Sequence, residues 1–186
     1  MDKLEERMIE WGEALLSVHL PRWEELPELD LYMDQVITLV DQYLSPIIIQ
    51  PEKNARLTPS MVNNYVKKEM IPPPVRKRYN RKHVAFLIAI TLLKQVLTIS
   101  EIKNGILFQG KAIGIRNAYN AYCEIQEKAI HQVCLQATKQ TYEEQVRVIP
   151  IEYLAAHSAS KAFANKLLAE KMIELETDYL KKGVRK

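Results

Sequence analysis

Residues 58–74 read TPSMVNNYVKKEMIPPP, and the arrangement of side chains within them decides how the chain folds. Thr58 is a good helix N-cap, and Pro59 suits the first helical position, where its missing N–H would have no intrahelical partner anyway. Pro72, Pro73 and Pro74 cannot continue a helix, so the pattern predicts one from Pro59 to about Glu69. At about 100° per residue, Ser60, Asn63, Asn64, Lys67 and Lys68 fall on one arc. Val62, Tyr65 and Val66 fall on the other, with Met61 at the border. The polar arc is cationic and amide-rich, without a carboxylate before the last turn, whereas a solvated face ordinarily mixes charge signs. Asn can pair bidentately with adenine, and Lys can reach guanine or a phosphate. The arc reads either as a recognition surface or as a short exposed helix that is basic by composition.

The flanking sequence bears on that choice. Val75, Arg76, Lys77, Arg78 and Tyr79 form a basic turn stiffened by the prolines before it. Asn80 is placed to cap a helix reaching about Gln95. Its stretch Val84–Leu93 is apolar nearly all round, as a central buried helix should be, and too short to span a bilayer. Thr98 and Glu101 make a capping box for a further helix from Ile99 to about Phe108. Residues 56–103 hold ten basic and two acidic side chains, and residues 1–55 hold four and twelve. The net charge of +3 therefore hides a segregation. Either the basic block meets a polyanion, or the acidic N-terminal part docks on it.

The order of helix, Met70-Ile71-Pro72-Pro73-Pro74, basic turn, Tyr79, apolar helix and then Leu97-Thr98-Ile99-Ser100-Glu101-Ile102 resembles the winged helix-turn-helix of MerR-type transcription regulators. The likeness covers about residues 58–107. The chain is also similar to an uncharacterised bacterial family of MerR-like proteins, sharing Leu20-Pro21-Arg22-Trp23 and Asp30-Leu31-Tyr32-Met33-Asp34-Gln35. Three departures stand out. Asn63-Asn64-Tyr65 replaces the usual Arg-Tyr-Tyr, only Val75–Arg78 remain for the wing, and the first helix, about Leu31–Leu44, lies Ser45–Leu57 away from the second. The resemblance implies DNA binding and a dimer joined through a C-terminal helix. It does not carry over the usual operator and wing contacts.

Elsewhere, Leu4, Met8, Trp11, Leu15 and Val18 share one helical stripe, and Met33, Val36, Ile37, Val40 and Leu44 another, with Asp30 as its cap. Trp11 and Trp23 read as packing residues, because neighbouring glutamates would repel phosphate. Ile47-Ile48-Ile49, bounded by Pro46 and Pro51, is either a short strand beside the basic turn or an apolar plug. A helix is expected from Ile115 to about Gln140, and another from Pro150 to Lys182. On the latter, Leu154, Ser158, Ala162, Asn165, Leu168, Met172, Leu175 and Tyr179 lie close to one line. That line fits a homodimer seam of Leu154, Asn165, Leu168, Met172, Leu175 and Tyr179, or a bundle closed within the chain.

His131 and Cys134 share a helix face, but a structural zinc site needs four ligands together. Cys123 sits three turns away, so no metal is expected and both cysteines read as small buried apolar groups. No nucleophile, base and orienting group can be drawn together, so neither catalysis nor a cofactor is expected. Two cysteines make no disulfide framework, and no signal peptide or membrane-spanning run is visible, so a cytoplasmic location is expected.

The reading is an all-α, MerR-like winged helix-turn-helix protein with at most a minimal wing strand pair. A DNA-binding domain over 1–108 and a dimerising helical hairpin over 109–186 are expected. The partner is double-stranded DNA, and no effector ligand is identified. Ser60, Asn63, Asn64 and Lys67 would read bases, and Lys67, Lys68, Arg76, Lys77, Arg78, Arg81 and Lys82 would meet phosphates. The alternative is a helical protein-interaction module of the same fold that does not bind DNA.

Overall fold

A computed structural model describes residues 2–48, 56–140 and 148–183. They form helices α1 (Asp2–Leu15), α2 (Met33–Leu44), α3 (Pro59–Lys67), α4 (Arg81–Leu93), α5 (Ile99–Ala112), α6 (Ile115–Ala137) and α7 (Ile151–Gly183), with short 3-10 turns at Trp23–Glu25 and Ser45–Ile47. No β-strand occurs among the described residues. Extended pairing is confined to two antiparallel bridges, Leu31 with Tyr79 and Val75 with Arg78. The chain is all-α, as the helical periodicities require. Among the described residues, no helix is long and apolar enough to cross a membrane.

Two compact units divide the chain: Leu20–Ile125, and Met1–His19 together with Gln126–Lys186. This division differs from the expected boundary at 108/109. In the second unit α1 packs on α7, so the first helix belongs with the last rather than with the middle of the chain. Met8, Ala137 and Leu175 form its buried cluster, with Leu4, Trp11, Leu168 and Met172 packed around it. Arg7 and Asp178 pair at 3.1 Å alongside. Gly12 permits a close approach there: a Cβ would lie 3.0 Å from Ala137 Cβ and Thr138 Cγ2, tighter than most side-chain contacts, so those neighbours would have to give way.

The same packing bears on the expected seam at Leu168, Met172 and Leu175. Leu175 is 1% exposed and is covered from within the chain, with Leu168 and Met172 beside it. Asn165 is exposed and donates to the Lys161 carbonyl of its own helix at 2.9 Å. Leu154 and Tyr179 are exposed as well. Over its first half α7 buries Ala159, Ser160, Phe163, Ala164 and Leu167 instead of the expected line. A seven-residue spacing drifts by about 20° per heptad on a straight helix, so that line meets the buried face only toward Leu175.

In the Leu20–Ile125 unit α4 is the central helix, with Val84, Leu87, Ile88 and Ile90 fully buried. Packed on it is α2, which also touches α3 and buries Val36, Val40 and Leu44. Two bonds of 2.8 Å between the backbones of Leu31 and Tyr79 draw Leu31 into extended structure. The helix therefore starts at Met33 rather than about Leu31. Its cap is the Tyr32 N–H donating to Gln35 Oε1 at 2.9 Å, not Asp30. Ile47 is buried in a 3-10 turn and Ile48 is half-buried, and the extended residue bridged to Tyr79 beside the basic turn is Leu31. Ile49 lies outside the described residues. Trp23 packs edge-on to Tyr119 at 6.4 Å between ring centres, a packing role as expected. The Thr98–Glu101 capping box is formed, but its helix, α5, continues past Phe108 to Ala112. At the other end of its neighbour, Lys139 takes a positive φ of 56°, which stops α6 short of Gln140.

Candidate nucleic-acid interface

α3 is built as its sequence predicts. Thr58 Oγ1 accepts from the Met61 N–H at 3.2 Å, and Pro59 fills the first position. Val62 and Tyr65 are buried. Ser60, Asn63, Asn64, Lys67 and Lys68 are all exposed, so the polar arc faces outward as a set. Met61, at the border, is half-buried, with the Lys94 ammonium 3.6 Å from its sulfur. Burial holds the Lys94 pKa below the ordinary lysine value. Glu69 ends the helix at φ 55°. Its N–H reaches the Val66 carbonyl and the Met70 N–H reaches that of Tyr65, both at 2.9 Å, the pairing of a left-handed C-terminal cap. Glu69 also pairs with Lys103 at 3.6 Å, so the carboxylate nearest the arc is partly answered.

The basic turn is a two-residue hairpin. Val75 and Arg78 exchange backbone bonds of 3.1 and 2.9 Å, leaving Arg76 (φ 50°) and Lys77 (φ 61°) as its tip. Two positive φ angles in succession make a turn that normally selects Asn-Gly. Here two long basic side chains occupy it, both exposed and without an ion pair among the described residues. Strain of this kind collects at functional positions.

Other cations of the block are engaged elsewhere. Arg78 lies over the Tyr32 ring, 3.7 Å from its centre, and donates to Tyr32 Oη at 2.6 Å and the Asp30 carbonyl at 3.3 Å. Arg81 donates to the Leu26 carbonyl at 3.1 Å and pairs with Glu28 at 3.3 Å. Both were expected beside phosphates; both fasten the hairpin and the start of α4 to the 26–32 segment. Lys82 is half-buried above the Phe86 ring. Nothing local in the sequence marks Asp30, Tyr32 or Leu26 as their partners, because these contacts join residues some fifty positions apart.

One buried imidazole joins the turn to α4. His83, 2% exposed, accepts at Nδ1 from the Asn80 N–H at 3.0 Å. Its Nε2 faces the Pro72 carbonyl at 3.2 Å. A carbonyl can only accept, so Nε2 carries a proton, while Nδ1 also lies 2.8 Å from Asn80 Oδ1. Burial lowers its pKa. Below the unfolded value of 6.5 the unfolded chain takes a proton that the folded chain resists. The stability contribution is thus complete above about pH 6.5 and is lost as pH falls through the folded pKa. Denaturant midpoints measured from about pH 7.5 to about pH 5.5 should fall more for the unmodified protein than for His83→Gln. Parallel profiles would show that another group governs the loss.

No group of three or more His, Cys, Asp or Glu residues that could hold an ion occurs among the described residues. His131 is exposed while Cys134 is buried, its thiol pushed up to about 11 by desolvation. Cys123 is buried too.

Against known proteins, a family profile described as Domain of unknown function (DUF1836) matches residues 21–122. No curated protein matches, and no solved structure does.

Proposed function

The chain belongs to the DUF1836 family, and from that premise we propose that it is a sequence-specific DNA-binding transcription regulator of MerR-like winged helix-turn-helix type. The observation that carries the proposal is the outward set Ser60, Asn63, Asn64, Lys67 and Lys68 on a helix whose opposite side is buried. Held by α2, α3 lies in the major groove with Asn63 and Asn64 reading base edges. Lys67, Lys68, Arg76 and Lys77 meet phosphates and set the register. The hairpin tip is the reduced wing, and Arg78 and Arg81 position it rather than touch DNA.

A homodimer on a pseudo-palindromic site belongs to the same reading, since one copy covers only a half-site. With Leu175 covered within the chain, the seam moves to exposed apolar side chains of α7 such as Ile173, Tyr179 and Leu180. A cytoplasmic location follows from this function.

The test is enrichment of genomic DNA on the purified protein, followed by a salt titration on the best fragment. Sequence-selective enrichment with a steep salt dependence is expected. Uniform weak binding to all DNA would sink the regulator and leave the protein-interaction module. Asn63→Ala or Asn64→Ala should weaken the best site by about 1–3 kcal/mol and random DNA hardly at all. Stability should stay within about 0.5 kcal/mol, because both side chains are exposed. Equal losses on both DNAs would contradict base readout.

A further inference from the structure

Within the Leu20–Ile125 unit, the end of α3, the proline turn, the start of α4 and the face of α5 enclose an open groove of about 350 Å³. Val66, Met70, Ile71, Phe86, Ile106 and Leu107 give it an apolar floor. None of this is required for reading DNA, which offers few apolar groups to such a surface. Beyond the groove, α5 is poorly covered: only Ile102 is buried along its length, while Leu107 is 48% and Phe108 56% exposed.

Two glycines of α5 point the same way. Glycine inside a helix costs about 0.5–1 kcal/mol relative to alanine, and it is commonly retained where another backbone comes close. Yet a Cβ on Gly105 would meet nothing within 4 Å, and one on Gly110 would meet only Ile115 Cγ1 at 3.7 Å. The chain's own packing explains neither glycine, and Gly110 lines the groove.

The rim supplies the charge. Lys82 and Lys111 border the groove with Glu69, and Glu69 already pairs with Lys103. Neither lysine has an acidic partner among the described residues. We propose that this groove docks an acidic amphipathic helix of a partner protein, which seats apolar side chains between α4 and α5 and sets carboxylates against Lys82 and Lys111. A helix fits better than an added strand, because among the described residues the extended pairings are isolated bridges and no sheet edge is there to extend. The chain's own acidic amphipathic helix, α1, is not the occupant, since its Met8 and Leu15 are already buried.

The test is affinity selection from a randomised library of peptides of about sixteen residues, roughly 24 Å as helix, on the full-length protein. Enriched peptides should carry apolar residues at i, i+3 or i+4, and i+7, flanked by Asp or Glu. Their affinity, read by fluorescence anisotropy, should fall about tenfold on Gly110→Leu, which fills the groove, and on Lys111→Glu. Exchanging the peptide's acidic residues for Lys should restore binding to Lys111→Glu. Lys111 is exposed, so this second variant tests the site even if Gly110→Leu fails to fold. DNA affinity of both variants should remain that of the unmodified protein, which separates this site from the DNA-reading face. Enrichment without the acidic pattern, unchanged affinity on both variants, or a groove covered by a second copy or by anionic lipid vesicles instead would each overturn the proposal.

Discussion

Leu175→Glu should unfold the unit that contains α1 and α7 rather than release a folded monomer. Leu175 is fully buried among Met8, Ala137, Leu4, Trp11, Leu168 and Met172, and of these only the Trp11 indole N–H is a hydrogen-bond donor. Truncating such a leucine to alanine costs about 2–5 kcal/mol, and a charged carboxyl in the same place adds desolvation to the lost packing. Much of a small protein's stability, about 5–15 kcal/mol, would be removed. Chemical denaturation followed by helical circular dichroism should show a lowered midpoint or a separate early transition. Sedimentation of the same variant is decisive in the other direction. A protein of unchanged stability whose mass has halved would put Leu175 back at an interface between subunits.

The second large effect separates stability from binding. Replacing Arg76 and Lys77 together by glycine should make the fold more stable and the DNA complex weaker. A left-handed conformation costs an L-residue about 1–2 kcal/mol, and two adjacent residues adopt it here. Part of that relief is offset because glycine also frees the unfolded chain, so a net gain of about 1 kcal/mol is expected. On the proposed function, the same change removes two phosphate contacts. It should flatten the dependence of log K on log salt by about two units. That amounts to roughly a tenfold smaller change in affinity between about 50 and 200 mM salt. Arg78 is left out because it is already held by Tyr32 and Asp30. A hairpin variant with unchanged salt dependence would remove the tip from the interface, and one with lowered stability would show that the turn carries no strain.

Residues close in sequence made much of the local structure legible. The Thr58 cap, the inside and outside of α3, the burial of α4 and the Thr98–Glu101 box each depend on neighbours within four positions. At that range helical periodicity and capping chemistry act without tertiary help. The all-α class followed from the same patterns. Helix ends were less legible where a distant partner intervened. Leu31 bonds to Tyr79 rather than continuing α2, and a backbone bond between residues so far apart leaves no mark in composition.

Charge was legible as a block but not as a surface. From the sequence, ten cations between Arg56 and Lys103 look alike. Only the tertiary structure distinguishes the exposed Lys67, Lys68, Arg76 and Lys77 from Arg78 and Arg81, which are spent on Tyr32, Asp30, Leu26 and Glu28. The stripe on α7 shows the same limit. Periodicity alone identifies an apolar line but not what covers it. The line was covered near Leu175 by α1, more than a hundred and fifty residues earlier in the chain. What the sequence determined by itself was therefore which side of each helix is apolar. Which of those sides meet one another, and which cations stay free, was decided only by tertiary packing, because a buried contact depends on the shape and reach of both partners.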